Sequence, residues 1–72
     1  MRITDLLTCS VLLYFDHELK EIDKSDHRRC VFVIVSNEKT NQILDDFHNG
    51  RIKVEPKKLF FIQKDLKGRI YN

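Results

Sequence analysis

The hydrophobic and polar positions divide the chain into alternating helical and extended segments. Residues Thr4–Phe15 are apolar on nearly every side of a helix with about 100° per residue. Thr4 is the expected N-cap, and Asp5 suits the positive end of the helix dipole. Because a helix of this kind needs cover on more than one side, this pattern predicts a centrally packed first helix.

A β-hairpin is predicted next. Residues Glu18–Asp23 indicate a weak edge strand, Lys24–His27 a turn, and Cys30–Val35 a β-branched strand. The run Val31–Val35 has no polar alternate, which is typical of a central strand covered on both faces. A small sheet with three helices would leave part of it open, so the run also favours self-association.

A second helix is predicted after Ser36 or Asn37, which are both suitable caps. It runs to about Asn49, and Gly50 is the expected C′ residue that ends it. Its narrow apolar stripe consists of Thr40, Ile43, Leu44 and Phe47.

The final third of the chain predicts one more strand and one more helix. Residues Arg51–Glu55 alternate between apolar and charged positions, and a helix follows from Pro56 to about Ile70. If the strand Arg51–Glu55 runs parallel to Val31–Val35, the two form a right-handed βαβ unit. We therefore predict a single α+β domain of order αββαβα over residues 1–72, with Val31–Val35 central in a three-stranded sheet packed by three helices.

The composition predicts a folded protein with a small core. The chain has 72 residues, of which 42% are hydrophobic and 33% are charged, which is too apolar for a disordered segment. Cys9 and Cys30 lie in hydrophobic stretches and are expected to be free thiols in a reducing cytoplasm, with a disulfide as the alternative. Asp5 interrupts any signal-peptide layout, and the apolar runs fall far short of the ~20 residues that span a bilayer. We expect a soluble cytoplasmic protein with no membrane partner.

No motif for catalysis or for a cofactor is found. His27 and Cys30 have the spacing of half a zinc site, but there is no second pair to complete four ligands. Gly50 and Gly68 are the only glycines, which excludes a glycine-rich phosphate loop. Ser10 has no base beside it. The sequence therefore predicts a protein that binds, with no enzymatic activity, no metal and no cofactor.

Charge is distributed unevenly along the chain. Residues 51–72 carry seven Lys or Arg against two acidic side chains, a net charge of +5, whereas residues 1–50 carry a net charge of −3. Such asymmetry often marks a face that meets an anionic partner. Solvation of an amphipathic helix is the simpler alternative.

The last helix combines aromatic and basic residues beside its apolar stripe. At about 100° per residue, Phe60 and Tyr71 fall among lysines on one flank, and Phe61 points away from the core. The alternative to an exposed aromatic flank is that both phenylalanines pack against the other helices. For Phe61, we favour exposure or a dimer contact. We predict a nucleic-acid or partner-binding face made of Arg51, Lys53, Lys57, Phe60, Lys64, Lys67, Arg69 and Tyr71.

Short motifs along the whole chain resemble a known family. They are an aromatic-x-Asn-Gly helix end at Phe47–Gly50, the strand end Val54-Glu55-Pro56, and the tail Leu66–Tyr71. The chain resembles a family of domains of unknown function, about as long as this chain, from low-GC bacteria, their phages and integrative elements. It departs from the family pattern at Tyr14–Asp16, where a glycine usually follows the first helix, so the first loop is expected to differ.

Three functions are left open. The resemblance implies a mobile-element setting, in which a basic face favours binding of nucleic acid or of a nucleic-acid-binding host protein complex. The second is an anti-CRISPR-like inhibitor that docks on a host defence complex and blocks a groove, either through the acidic residues Glu38, Asp45 and Asp46 or through an apolar patch. The third is a structural homodimer through the Thr4–Phe15 helix.

Overall fold

The computed structural model describes residues 1–26 and 28–71 and shows three helices and a three-stranded sheet. The elements in chain order are β1 (Arg2–Ile3), α1 (Leu6–Tyr14), β2 (Glu18–Asp26), β3 (Arg29–Val35), α2 (Thr40–His48) and α3 (Pro56–Ile70). The predicted α+β class is confirmed. The order of elements is βαββαα, however, and differs from the predicted αββαβα.

The sheet is antiparallel throughout, with strand order β1-β3-β2. Strand β3 is central, as predicted. The third strand is β1, which pairs Arg2 with Val33, and the backbone N–H of Ile34 donates to the Met1 carbonyl oxygen at 2.8 Å. Because β1 occupies this edge of β3, the predicted strand Arg51–Glu55 and its parallel βαβ unit are wrong.

Residues 51–55 pack against the end of α1 without forming a strand. Their burial still alternates, since Ile52 and Val54 are half-buried whereas Arg51 and Lys53 are exposed. The backbone N–H of Glu55 donates to the Tyr14 hydroxyl oxygen at 2.9 Å. The alternation therefore predicted correctly which side chains face inward, although these residues have no strand partner.

Strand β2 is longer than the sequence indicates. It continues through Lys24 and Ser25 to Asp26, which pairs with Arg29 in the register of the hairpin. The predicted turn Lys24–His27 is therefore strand up to Asp26, and His27 lies outside the described residues.

Helix α1 has a side-chain cap at its start and a non-glycine left-handed residue after its end. Asp5, and not the predicted Thr4, is the N-cap, and its carboxylate accepts from the Thr8 backbone N–H at 3.0 Å and from the Thr8 hydroxyl at 2.6 Å. These hydrogen bonds lower the pKa of Asp5. Asp16 has φ of 66°, and its N–H donates to the Leu13 carbonyl while that of His17 donates to Leu12. This is a Schellman motif, in which glycine usually supplies the positive φ.

The core lies between α1, the sheet and α3. It is formed by Cys9, Leu12, Phe32, Ile34 and Leu66, and partly buried side chains of all three helices pack against it. Every residue from Thr8 to Leu12 is buried. The apolar circumference of α1, which suggested a dimer, is thus covered largely within one chain.

The other face of the sheet carries little cover. Val31 and Val33 are half-buried and Val35 is 45% exposed. Arg2 on β1 forms an ion pair with Asp23 on β2 at 2.9 Å, and the register places this pair across the valines of β3. Cover on both faces, which the apolar run predicted, is therefore incomplete within one chain.

A buried hydrogen-bond chain joins His17, between α1 and β2, to the start of α2. The Asn37 backbone N–H donates to Thr40 Oγ1 at 2.8 Å, and His17 Nε2 lies 2.7 Å from the same oxygen. Nδ1 of His17 faces the Phe15 carbonyl at 3.3 Å. A neutral imidazole protonated on Nδ1 satisfies all of these contacts, with the Thr40 hydroxyl donating to Nε2.

Candidate nucleic-acid interface

Helix α3 is positioned by a strong start signal and by one apolar stripe. Pro56 occupies the first turn, where its missing N–H costs nothing, and the Glu55 carboxylate accepts from the N–H groups of Lys57 and Lys58 at 3.2 and 2.6 Å. Leu66 is buried in the core, and Ile62 and Ile70 pack beside it. The stripe fixes the rotation of α3, so that its remaining sides face solvent.

Three aromatic side chains on and after α3 are exposed. Phe60 is 54%, Phe61 62% and Tyr71 84% accessible. The rings of Phe60 and Phe61 lie 6.0 Å apart between centroids. Both phenylalanines therefore lie at the surface, which answers the question that the sequence left open for Phe60. Large exposed apolar side chains in proximity mark interaction sites.

Lysines share one side of α3 with Phe60. Lys57, Lys64 and Lys67 are exposed, and none forms an ion pair with a carboxylate in residues 1–26 or 28–71. With a rise of 1.5 Å per residue, they span about 15 Å along the helix axis. We call Lys57, Phe60, Lys64, Lys67 and Tyr71 the basic flank. It is the part of the predicted face that the structure brings together.

The two arginines of the predicted face are engaged by carboxylates of the chain itself. Arg51 lies 2.7 Å from an Asp45 oxygen and 3.2 Å from an Asp46 oxygen, and Arg69 lies 3.0 Å from Asp65. Such exposed pairs are each worth about 0.2–1 kcal/mol. Binding of a phosphate by either arginine would therefore replace an existing ion pair, which the lysines of the basic flank do not have among the described residues.

The same ion pairs affect the predicted acidic docking face. Asp45 and Asp46 are partly neutralised by Arg51, whereas Glu38 is exposed in the turn before α2, outside this network. Lys53 is exposed in the segment before α3, apart from the basic flank along the chain.

The side of α3 around Phe61 is apolar with balanced charge, and it adjoins the basic flank because Lys57 also lines it. Phe61 borders a groove floored by Leu13 and Ile62. Two lysines and two carboxylates also line the groove, and the Nζ of Lys58 lies 4.7 Å from the centroid of the Tyr14 ring. This groove suits an apolar side chain of a protein partner better than a polyanion.

Arg28 and Arg29, at the end of the hairpin, were not among the residues predicted from the sequence. They line a pocket of about 400 Å³ together with Ile70 and Tyr71 at the end of α3. Two adjacent arginines before a strand are the only signal in the sequence. Their proximity to α3 depends on the packing of the hairpin, which no local pattern encodes.

The remaining candidate chemistry concerns the cysteines and histidines. Cys9 and Cys30 are free, as predicted, and burial raises the pKa of the Cys9 thiol to about 11. Within residues 1–26 and 28–71, no three His, Cys, Asp or Glu side chains are grouped to hold a metal ion. Over the same residues, none of the helices has the length and apolar character needed to cross a bilayer.

Comparison with known proteins identifies the family of the chain. A family model described as a domain of unknown function (DUF5659) matches residues 1–72. No curated protein matches the chain, and no solved structure matches it. The resemblance to a small domain family of unknown function is therefore confirmed over the whole chain.

Proposed function

The chain belongs to the family described as a domain of unknown function (DUF5659), and from the geometry of α3 we propose that it binds nucleic acid. In this proposal it is a non-enzymatic accessory protein of a phage or another mobile element and acts in the cytoplasm of a bacterial host. The ligand is free nucleic acid or the nucleic acid of a nucleoprotein complex.

One observation carries the proposal: lysines without an ion pair among the described residues and exposed aromatic rings share one side of α3. Lys64 and Lys67 lie between Phe60 and Tyr71 along the helix and on the same side of it. Lysines attract phosphates without sequence preference, and aromatic faces stack on bases. An acidic protein surface would supply carboxylates for the lysines but no stacking partners for the rings. The combination therefore favours nucleic acid over an acidic protein.

The test is fluorescence anisotropy with a labelled decathymidylate and with a duplex of equal length, over a range of salt concentrations. Binding should weaken as salt rises, because each phosphate contact releases counterions. The double variant Lys64→Gln, Lys67→Gln should make the negative slope of log affinity against log salt shallower by about 1.4 for the single strand.

The matched control changes the same number of charges elsewhere. Lys20 and Lys39 are exposed and lie in β2 and before α2, away from α3 in the sequence. The double variant Lys20→Gln, Lys39→Gln should keep the slope of the unmodified protein. If the unmodified protein binds neither the decathymidylate nor the duplex at low salt, the proposal is wrong.

A second candidate function is favoured by the groove beside Phe61. An inhibitor of a host defence complex would insert an apolar partner side chain over Leu13 and Ile62. In this case Phe61→Ala would abolish nuclease-resistant recovery of a purified defence complex, and Phe60→Ala would not. Recovery that disappears on nuclease treatment would instead support nucleic-acid binding.

A further inference from the structure

We propose that the pocket between the start of β3 and the end of α3 binds one nucleotide of a single strand, with Arg28 and Arg29 on its phosphate and Tyr71 against its base. This inference rests on the proposed function and specifies its ligand as single-stranded nucleic acid. We call this site the arginine pocket.

The arginine pocket has an apolar floor and a polar rim. Its volume is about 400 Å³, within the range of sites that hold small ligands. Leu6, Phe32 and Ile70 form the floor. The rim consists of Thr4, Arg28, Arg29, Cys30 and Tyr71. A concave apolar site with a few convergent polar groups suits a planar base attached to an anion.

The two arginines differ from the other arginines of the chain. Arg2, Arg51 and Arg69 each form an ion pair, whereas Arg28 and Arg29 are exposed without one among residues 1–26 and 28–71. A guanidinium binds phosphate through two parallel hydrogen bonds. The pocket is therefore lined by two arginines that none of the described carboxylates engages in an ion pair.

Asp26, which pairs with Arg29 in the register of the hairpin, helps to shape the turn. Asp26 Oδ1 accepts from the backbone N–H of Arg28 at 2.9 Å, and Asp26 does not line the pocket. The Asp26 carboxylate thus holds the backbone of Arg28, and no ion pair joins it to either arginine among the described residues.

The arginine pocket continues the basic flank. The Tyr71 N–H donates to the Lys67 carbonyl at 3.2 Å, which places Tyr71 one turn beyond Lys67. Lys24 Nζ donates to the Arg69 carbonyl at 2.6 Å and holds β2 of the hairpin against the end of α3. A strand whose phosphates lie along Lys64 and Lys67 therefore reaches Tyr71 and the arginine pocket next.

The exposure of Tyr71 favours a single strand. The side chain is 84% accessible, so its ring is open to stacking. Bases in a duplex are already stacked on each other, and only an unpaired base is free to lie on an aromatic side chain. Phosphate contacts alone would not distinguish the two forms.

Cys30 provides a reporter inside the pocket. Its thiol is free and half-buried on the pocket rim, whereas Cys9 is fully buried in the core. Labelling of the folded protein by a maleimide should therefore occur at Cys30. Bound decathymidylate should slow labelling in proportion to occupancy, by about tenfold when nine-tenths of the protein is bound. The duplex of equal length should protect less at equal occupancy of the protein.

The variant Arg28→Gln, Arg29→Gln isolates the pocket. We expect it to weaken decathymidylate binding at least tenfold and to remove protection of Cys30, with a smaller loss for the duplex. The control variant Lys20→Gln, Lys39→Gln should keep the decathymidylate affinity and the protection of Cys30. Because Arg28 and Arg29 are exposed, circular dichroism should show the variant folded as the unmodified protein.

The outcomes separate the two proposals. The pocket assignment is wrong if the Arg28→Gln, Arg29→Gln variant keeps its affinity for decathymidylate and bound decathymidylate leaves Cys30 of the unmodified protein unprotected. Binding by the basic flank would then remain in place. Equal protection by inorganic phosphate at the oligonucleotide concentration would show a free-anion site and overturn the nucleotide assignment. Absence of any binding to the unmodified protein would overturn both.

Discussion

Helices α1 and α3 are both rich in apolar residues but place them differently. Five consecutive residues of α1, from Thr8 to Leu12, are buried, whereas Leu66 is the one fully buried residue of α3 and Phe60 and Phe61 lie at the surface. Burial of its apolar side chains means that helix α1 contributes mainly to the stability of the fold. Helix α3 buries one stripe and leaves apolar rings exposed, which contributes little to stability and is useful for binding. Substitutions in the two helices should therefore affect different measurements.

The largest expected effect is the loss of stability in Leu12→Ala. Leu12 is fully buried in the core, and truncation of such a side chain costs about 2–5 kcal/mol. Small domains have stabilities near the lower end of about 5–15 kcal/mol, so this change should remove a large share of the free energy of unfolding. Urea unfolding followed by circular dichroism measures it. A loss below about 1 kcal/mol would contradict the central role of α1.

Phe60→Ala should show the reverse behaviour. Because Phe60 is more than half exposed, the free energy of unfolding should change by less than about 1 kcal/mol. Decathymidylate affinity should fall by about 1–3 kcal/mol, the contribution of one stacked base. Phe61→Ala is the matched control, because the Phe61 ring borders the groove over Leu13 and Ile62, and it should retain binding. Equal losses in the two variants would remove the distinction between the basic flank and the groove.

A smaller effect concerns the residues that follow α1 and α2. Both adopt a positive φ, but the first is an aspartate and the second a glycine. Asp16 has φ of 66° after α1, and Gly50 has φ of 70° after α2. Because a side chain is strained in this region, Asp16→Gly should stabilise the fold by about 0.5–1 kcal/mol. Thermal unfolding of Asp16→Gly and of Gly50→Ala should shift in opposite directions. A destabilised Asp16→Gly would indicate that the Asp16 side chain makes a favourable contribution.

The smallest expected effect is a pH dependence at the start of α1. Hydrogen bonds from Thr8 lower the pKa of Asp5 below its ordinary 3.8. The unfolded chain therefore takes up this proton first as the pH falls, and the stability from the cap is present above pH 3.8 and is lost below it. Unfolding between pH 5 and pH 3 should show a steeper loss for the unmodified protein than for Asp5→Asn. The amide caps the helix but does not titrate in this range. Parallel curves would contradict the assigned role of Asp5.

Local patterns predicted α3 well and β1 not at all. Pro56 and the apolar stripe define α3, whose bounds Pro56–Ile70 match the prediction. Strand β1 has two residues, too few for any periodicity. Arg51–Glu55 has the alternation of a strand, but the edge of β3 beside it is filled by residues 1–3. Competition for one edge is a tertiary effect, and single-sequence patterns do not report it.

The candidate site shows the same division. The helical spacing of Lys57, Lys64 and Lys67 was sufficient to place them on one side of α3. The exposure of Phe60 depended on whether another helix covers that side. Arg28 and Arg29 reach the end of α3 only through the docking of the hairpin, which Lys24 fixes at the Arg69 carbonyl.

Leu66 completes a core whose other members lie far earlier in the chain, from Cys9 to Ile34. During synthesis on the ribosome, α1 and the hairpin emerge with this apolar surface still uncovered, and they cannot close it until α3 has also left the exit tunnel. We therefore expect the nascent chain to remain open to chaperones until α3 emerges, and then to fold in one cooperative step.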